Sequence, residues 1–303
     1  MKQHEEQHRL RTCLWIVNAL LTRNGLTLKE LNKLWVETEL SGGEEIIPRT
    51  FFNYRMAIQD IFGIVIECDK RNFWKYSINY DENRSTTKWL LSSFSVSQLL
   101  QENKDLHDRI LLEDIPSGVQ HLSTIIESMQ RNNAIEITYK SFDKEQSYKV
   151  EIEPYCVKLF HQRWYVIGRN VEKKHLQTYA LDRITFIEIL NKDFVMDKDF
   201  DAVSYFHNSF GIYASDKELP QIIKIKTNPR ESEFLRSLPL HHSQKETIKN
   251  NNFSIFEFKL VPTRDFVMDL ISRGSKIEVL EPLTLRNQIK EEIEAMAKLY
   301  MNN

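Results

Sequence analysis

At Ile135 the spacing of apolar residues changes from helical to alternating, and that change divides the chain into two kinds of structure. Upstream, Leu10, Leu14, Ile16, Val17, Leu20 and Leu21 fall mostly on one face of a helix predicted over 8–23. Asn24-Gly25 ends it, because both residues tolerate positive φ. Thr27 and Glu30 make a capping-box pattern for a second helix over 27–38. Ser41-Gly42-Gly43 breaks the chain. Pro48 stands at the favoured first position of a third helix, over 48–62, which Gly63 stops. Two β-like runs follow, Ile64–Cys68 and Trp74–Ile78, joined by the polar tip Asp69-Lys70-Arg71-Asn72, and read as a hairpin. Three helices and a hairpin outline either a winged helix-turn-helix or a small helical domain with a β-ribbon, and outline alone does not fix function.

Over 81–132 the pattern predicts a helical linker. Ser95 caps a helix carrying Val96, Leu99, Leu100, Leu106, Ile110 and Leu111, and Pro116-Ser117-Gly118 interrupts it. Val119, Leu122, Ile125, Ile126 and Met129 resume the period, and the apolar face needs something to pack on. Beyond the switch, Ile135, Ile137 and Tyr139 alternate with Glu136, Thr138 and Lys140, and Tyr148, Val150 and Ile152 with Lys149, Glu151 and Glu153. Arg163–Gly168, Leu176–Leu181 and Ile184–Leu190 are further strands, and short strands with tight connections predict a small antiparallel barrel. After a polar connection near 197–219 come a strand (Ile222–Thr227), a helix (Glu231–Leu238), a strand (Phe253–Leu260), a helix (Arg264–Ser272), a strand (Lys276–Leu280) and a closing helix over 284–301. That order predicts a small α/β sandwich. The expected domains are 1–80, 81–132, 133–200 and 201–303 of a multidomain α+β chain.

Composition narrows the function classes. The net charge of −2 excludes a chain-wide basic footprint but not a local one. Residues 1–80 hold eleven basic and ten acidic side chains, so any nucleic-acid face there is a patch, not the whole domain. Cys13, Cys68 and Cys156 are odd in number and widely spaced, which excludes a disulfide framework and a cysteine zinc site. The polar start MKQHEEQHRLR lacks the apolar core of a signal peptide, and no run is long enough for a membrane span, so a cytoplasmic location is expected. There is no GxGxxG, Walker A, HExxH or GxSxG, and no catalytic site, cofactor or metal is expected. His241 and His242 are adjacent; on a strand they would point to opposite faces and could not share a metal.

Two stretches carry more specific information. Pro154-Tyr155-Cys156-Val157-Lys158 precedes Arg163-Trp164-Tyr165-Val166-Ile167-Gly168, and Thr178-Tyr179-Ala180 leads into Leu181-Asp182-Arg183-Ile184. These resemble the WYL-domain transcriptional regulators of bacteria, with Val166 in place of the usual Leu. The resemblance implies an N-terminal winged helix-turn-helix, a helical linker, a Sm-like, SH3-type β-barrel (the WYL domain) and a small C-terminal α/β extension. Gly274–Tyr300, with Val279-Leu280-Glu281-Pro282 before the closing helix, looks like the end of that extension. It further implies a non-enzymatic homodimer on a palindromic double-stranded operator, answering to a nucleotide or oligonucleotide effector, in phage defence or the DNA-damage response. The alternative is a non-regulatory single-stranded nucleic-acid binder within a defence or repair assembly.

On that reading the third helix is the recognition helix. Phe51, Ile58 and Tyr54 or Phe52 face the core, leaving Arg49, Thr50, Asn53 and Arg55 outward where such helices meet base edges. Arg pairs with guanine and Asn with adenine, while Lys70 and Arg71 at the hairpin tip suit phosphates. Arg55 has a duller alternative, an ion pair with Asp60 or Glu67. A nucleotide sensor needs cationic forks and aromatic faces. By resemblance Tyr139, Ser141, His161, Arg163 and Arg169 surround the ligand, with Lys158 and Arg183 as further candidates. Gln177 stands where many relatives carry Arg, which puts the number of phosphates in question. Trp164 reads as core, and Asp182 as a structural partner of Arg183.

Overall fold

The structure is a computed structural model that describes residues 2–23, 25–78, 109, 111, 117–214 and 218–301. It comprises two compact units, residues 1–113 and 114–303. The linker helix expected from Ser95, with Val96, Leu99, Leu100, Leu106 and Ile110, lies outside the described residues, and Leu111, which is described, is exposed.

In the first unit, α1 (Lys2–Thr22), α2 (Leu28–Trp35) and α3 (Pro48–Phe62) precede a hairpin of β1 (Ile66–Asp69) and β2 (Lys75–Ile78). The Thr27–Glu30 capping box is present at α2, and Pro48 opens α3. Cys13, Ile16, Val17 and Leu20 of α1 meet Leu31, Trp35, Phe51 and Ile58 in one core. Asn32, buried in α2, fixes the loop before α3: its Nδ2 donates to the Ile46 carbonyl at 3.0 Å and its Oδ1 accepts from the Ile46 amide at 2.9 Å. The amide and carbonyl of Leu26 bond those of Tyr76, so the turn between α1 and α2 pairs with the hairpin. Cys13 is buried, and Cys68 on β1 is half-buried.

The second unit opens with Ser117, Gly118, a 3-10 turn at Val119–His121 and α4 (Leu122–Arg131). Then come β3 (Asn133–Tyr139), β4 (Tyr148–Phe160), β5 (Arg163–Asn170), β6 (Leu176–Ala180), a 3-10 turn at Leu181–Arg183, and β7 (Ile184–Asp193). The antiparallel sheet runs β6-β5-β4-β3-β7. A flat sheet would hold its edges ~19 Å apart, four strand spacings. The three-residue turn that joins those edges cannot span that, so the sheet curls. Among the described residues no backbone pairing links β6 to β7, so hydrogen bonding does not close the expected barrel. The inner face packs Ile135, Ile137, Val150, Ile152, Val166 and Leu181 against Ile125 of α4.

β4 is longer than expected because it continues through Pro154. Pro cannot donate to a ladder, and the register slips there, between Pro154 and Cys156. Opposite sits Gly168, where an added Cβ would come within 2.7 Å of the Glu153 carbonyl oxygen.

A connector holding α5 (Ala202–His207) leads to β8 (Gln221–Thr227), α6 (Pro229–Ser237), β9 (Lys245–Lys249), β10 (Ser254–Leu260), α7 (Arg264–Ser272), β11 (Ile277–Glu281) and α8 (Leu283–Met301). The sheet order is β11-β8-β10-β9, a split βαβ arrangement, with Phe256, Phe258, Phe266 and Leu270 in its core. The connector joins the two sheets. Lys158 Nζ donates to the Gly211 carbonyl at 2.6 Å, Thr178 Oγ1 to the Ile212 carbonyl at 3.3 Å, and the Ile212 amide to Asp265 Oδ2 at 2.8 Å.

Candidate nucleic-acid and ligand sites

On α3, Phe51, Ala57 and Ile58 are buried and Tyr54 is half-buried, which leaves Arg49, Asn53 and Asp60 exposed on the opposite face. No side chain caps the helix at Ile47 and Pro48 has no amide hydrogen, so the Arg49 and Thr50 amides are the uncapped donors of its first turn. Thr50 and Asn53 line a groove of about 650 Å³ against His8 and Arg9 of α1. Phe52, one of the expected core positions, is 55% exposed, and Met56 beside it is 38% exposed. Sequence reading allowed Phe52 in the core because a helical wheel with two aromatic neighbours assigns either inward.

Arg55 departs from expectation. Its Nη2 donates to the Ile66 carbonyl at 2.6 Å, its guanidinium lies 5.2 Å from the Tyr76 ring centroid, and its Nε is buried without a partner. It clamps α3 to β1 and β2 and does not point outward; a backbone carbonyl, which sequence cannot nominate, took the place of the acids considered. Lys70 and Arg71 are exposed at the hairpin tip, as expected.

The WYL tripeptide splits between the faces of β5. Trp164 and Val166 enter the inner core, and the Trp164 amide donates to the Ser117 carbonyl at 3.1 Å. Tyr165 lies on the other face with Arg163 and Arg169 by strand alternation, and is 7% exposed. Arg163 Nη1 stands 3.7 Å from Asp182 Oδ2, so Asp182 pairs with Arg163 and not with its neighbour Arg183. Arg183 instead lies over the Phe142 ring at 3.8 Å, with its Nε buried and unpartnered.

Four of the expected ligand residues gather at the end of the sheet where Leu181–Arg183 turns. The Tyr139 hydroxyl accepts from the Ala180 amide at 3.3 Å, and the Lys140 amide donates to the Arg183 carbonyl at 3.0 Å. These bonds bring the exit of β3, with Ser141, beside Arg183 and the Asp182–Arg163 pair. Burial raises the pKa of Tyr139, so it stays a neutral hydroxyl. His161 is exposed in the β4–β5 turn next to Arg163.

Two expected ligand residues fall elsewhere. Arg169 is six residues along β5 from Arg163, a separation of ~20 Å. It lines a different groove of about 1210 Å³ with Lys173, Lys174, His175, Asp197, Asp199 and Asp201. Lys158 is half-buried under the connector, on the Gly211 carbonyl and 3.6 Å from the Phe206 ring centroid, and burial pushes its pKa down to about 8. It belongs to the joint between sheets. Gln177 completes a polar triad: Asn170 Nδ2 donates to Gln177 Oε1 at 3.0 Å and to the Tyr179 hydroxyl at 2.9 Å, and that hydroxyl donates to Gln177 Oε1 at 2.9 Å.

His241 and His242 lie in a turn, not on a strand, and point the same way. Their Nε2 atoms stand 3.0 and 2.7 Å from the His207 carbonyl. Among the described residues no histidine, cysteine and carboxylate cluster could hold a metal, and no helix is long and apolar enough to cross a membrane.

Comparison with known proteins places names on these units. Residues 120–189 match the WYL domain and residues 220–297 the WCX domain. The chain is 25% identical over 195 residues to the HTH-type transcriptional regulator YobV of Bacillus subtilis (strain 168), a match covering 63% of this chain and 56% of that protein. Proteasome accessory factor B/C (PafBC) of Arthrobacter aurescens is similar at 17% identity and a TM-score of 0.36, over 96% of this chain and 47% of that one. A CRISPR Cas-related protein is similar at 15% identity and a TM-score of 0.39, over 61% of this chain and 53% of that one. The chain thus spans about half the length of these relatives. With the WYL tripeptide on β5, the Leu-Asp-Arg-Ile turn after β6 and both domain matches in sequence, the chain carries a WYL domain followed by a WCX domain and is similar to the WYL-domain transcriptional regulators.

Proposed function

We propose that this protein is a homodimeric, ligand-responsive regulator of transcription that reads double-stranded DNA and catalyses nothing. The observation that carries this reading is the outward face of α3, with Arg49, Asn53 and Phe52 exposed above a helix start without a side-chain cap. The name of the YobV relative supports it. The strand order of the curled sheet supports the Sm-like barrel reading of the WYL unit. The effector is an anion of nucleotide or oligonucleotide type, bound where Tyr139, Ser141, Arg163 and Arg183 converge. Its phosphate takes over Arg163 from Asp182, a local exchange that biases two states of the dimer, and the shift is only as large as the ligand's differential affinity for them. Phage defence or DNA damage is the setting the resemblance favours.

The test is capture of sheared genomic DNA at near-physiological salt, followed by sequencing. Enrichment of an inverted repeat is expected, with Arg49→Ala or Asn53→Ala costing about 1–3 kcal/mol at one base pair. Salt-sensitive retention without a shared motif would overturn this reading in favour of a general or single-strand binder.

A further inference from the structure

The hairpin tip between β1 and β2 is built unlike the rest of its domain. Two β-turns run in series across it. The Asn72 amide donates to the Asp69 carbonyl at 3.2 Å, and the Lys75 amide donates to the Asn72 carbonyl at 3.1 Å. The central residues of the second turn are Phe73 and Trp74, with φ of 54° and 59°. Positive φ at both central positions is the type I′ arrangement, which Gly, Asn and Asp dominate because a Cβ is strained there. Two of the bulkiest side chains occupy it here, and for such residues this backbone is an outlier.

The rings do not join the domain core. Phe73 is 83% exposed and Trp74 57%, whereas Trp35 and Phe51 are buried and Tyr76 packs against them. Cations surround the rings: Lys70 Nζ lies 5.5 Å from the Trp74 centroid, and Arg71 is exposed beside it. A strained turn that presents apolar rings to water carries a double cost, which a function at the tip would explain.

We propose that the tip is an aromatic wedge for duplex DNA. Phe73, backed by Trp74, enters the minor groove and partly unstacks one base step, while Lys70 and Arg71 hold the flanking phosphates. The inference rests on the DNA-binding reading above. Flat apolar rings match the faces and edges of stacked bases, and the cations match the backbone on either side. Pyrimidine–purine steps unstack most readily, so the wedge selects TA or CA at its step without a hydrogen bond to those bases.

The experiment uses the full chain and a random-sequence duplex pool enriched on the wild type. The variant Phe73→Asn with Trp74→Gly removes both rings and installs the pair this turn prefers, so the fold is kept. The readouts are the Kd on an enriched duplex, the fluorescence of 2-aminopurine at the selected step, and the slope of log Kd against log salt. The wedge predicts binding weakened about 5- to 150-fold, loss of the 2-aminopurine rise, and an unchanged salt slope because no phosphate contact is removed. A variant with wild-type Kd and wild-type 2-aminopurine signal overturns the wedge and leaves DNA binding standing. A wild type that enriches no duplex overturns the DNA-binding reading and the wedge with it. A blue shift of tryptophan emission on anionic vesicles, lost in the variant and unaccompanied by any 2-aminopurine rise on DNA, reassigns the tip to a membrane surface and also overturns it.

Discussion

His241 is a histidine that its surroundings hold neutral. Its Nε2 faces the His207 carbonyl and its Nδ1 lies 3.2 Å from the Ser243 amide, so the tautomer protonated on Nε2 satisfies both. Burial first, and then the neighbouring His242, pushes its pKa down to about 4. Between pH 6.5 and 4 the unfolded chain takes up a proton that the folded chain refuses, so stability falls as pH drops through that window. His241→Asn removes the titration. Its thermal unfolding midpoint should therefore depend less on pH between 6.5 and 4.5 than that of the wild type. An identical slope in the two proteins would assign the acid sensitivity elsewhere. Gly118 is a second residue with no latitude. At φ 69° an added Cβ would come within 2.3 Å of the Asp182 nitrogen and the Leu181 carbonyl carbon. Gly118→Ala is expected to cost about 2–5 kcal/mol, the sum of a left-handed backbone penalty and overpacking, read by denaturant unfolding.

At the scale of elements, α3 depends on a clamp. Arg55 holds it to β1 through the Ile66 carbonyl. Arg55→Ala should lower the stability of the first unit by about 1.5–3 kcal/mol, the range for a hydrogen bond to a charged group. The base preference of the enriched pool should stay the same; a changed preference would return Arg55 to the reading face. How much was legible in sequence varies by element for physical reasons. α3 follows the sequence at 48–62 because Pro48 and Gly63 mark its ends locally, and α7 matches at 264–272, where the structure adds a side-chain cap at Thr263. β4 extends past the alternation that ends at Glu153, because the register shifts between Pro154 and Cys156 and breaks the period of two there. β9 was missed because Lys245–Lys249 is an edge strand with a single aliphatic residue, and α5 because six residues carry too little period. In the sites, Arg49 and Asn53 followed from helical phase, whereas Arg55 and Lys158 were bound by backbone carbonyls of distant segments. No local pattern encodes such partners.

At the scale of the whole molecule, the first unit has one core, around Phe51 and Ile58, and the second has one core for each of its sheets, bridged by the connector through Lys158 and Asp265. Domains with their own cores unfold as their own cooperative units. Calorimetry should resolve two transitions. Phe51→Ala should lower only one of them and Phe256→Ala only the other, each by about 3–5 kcal/mol at its site. A single transition displaced by both variants would mean that the units are energetically one. The thiols are divided by burial. Burial pushes Cys13 and Cys156 up to about 11, which leaves them almost wholly protonated at neutral pH and closed to alkylation. Cys68 is only half-buried, on the strand that leads to the Phe73–Trp74 tip. A maleimide dye applied to the native protein should thus mark the β1–β2 hairpin and nothing else, giving a reporter of the proposed DNA engagement that needs no engineered cysteine.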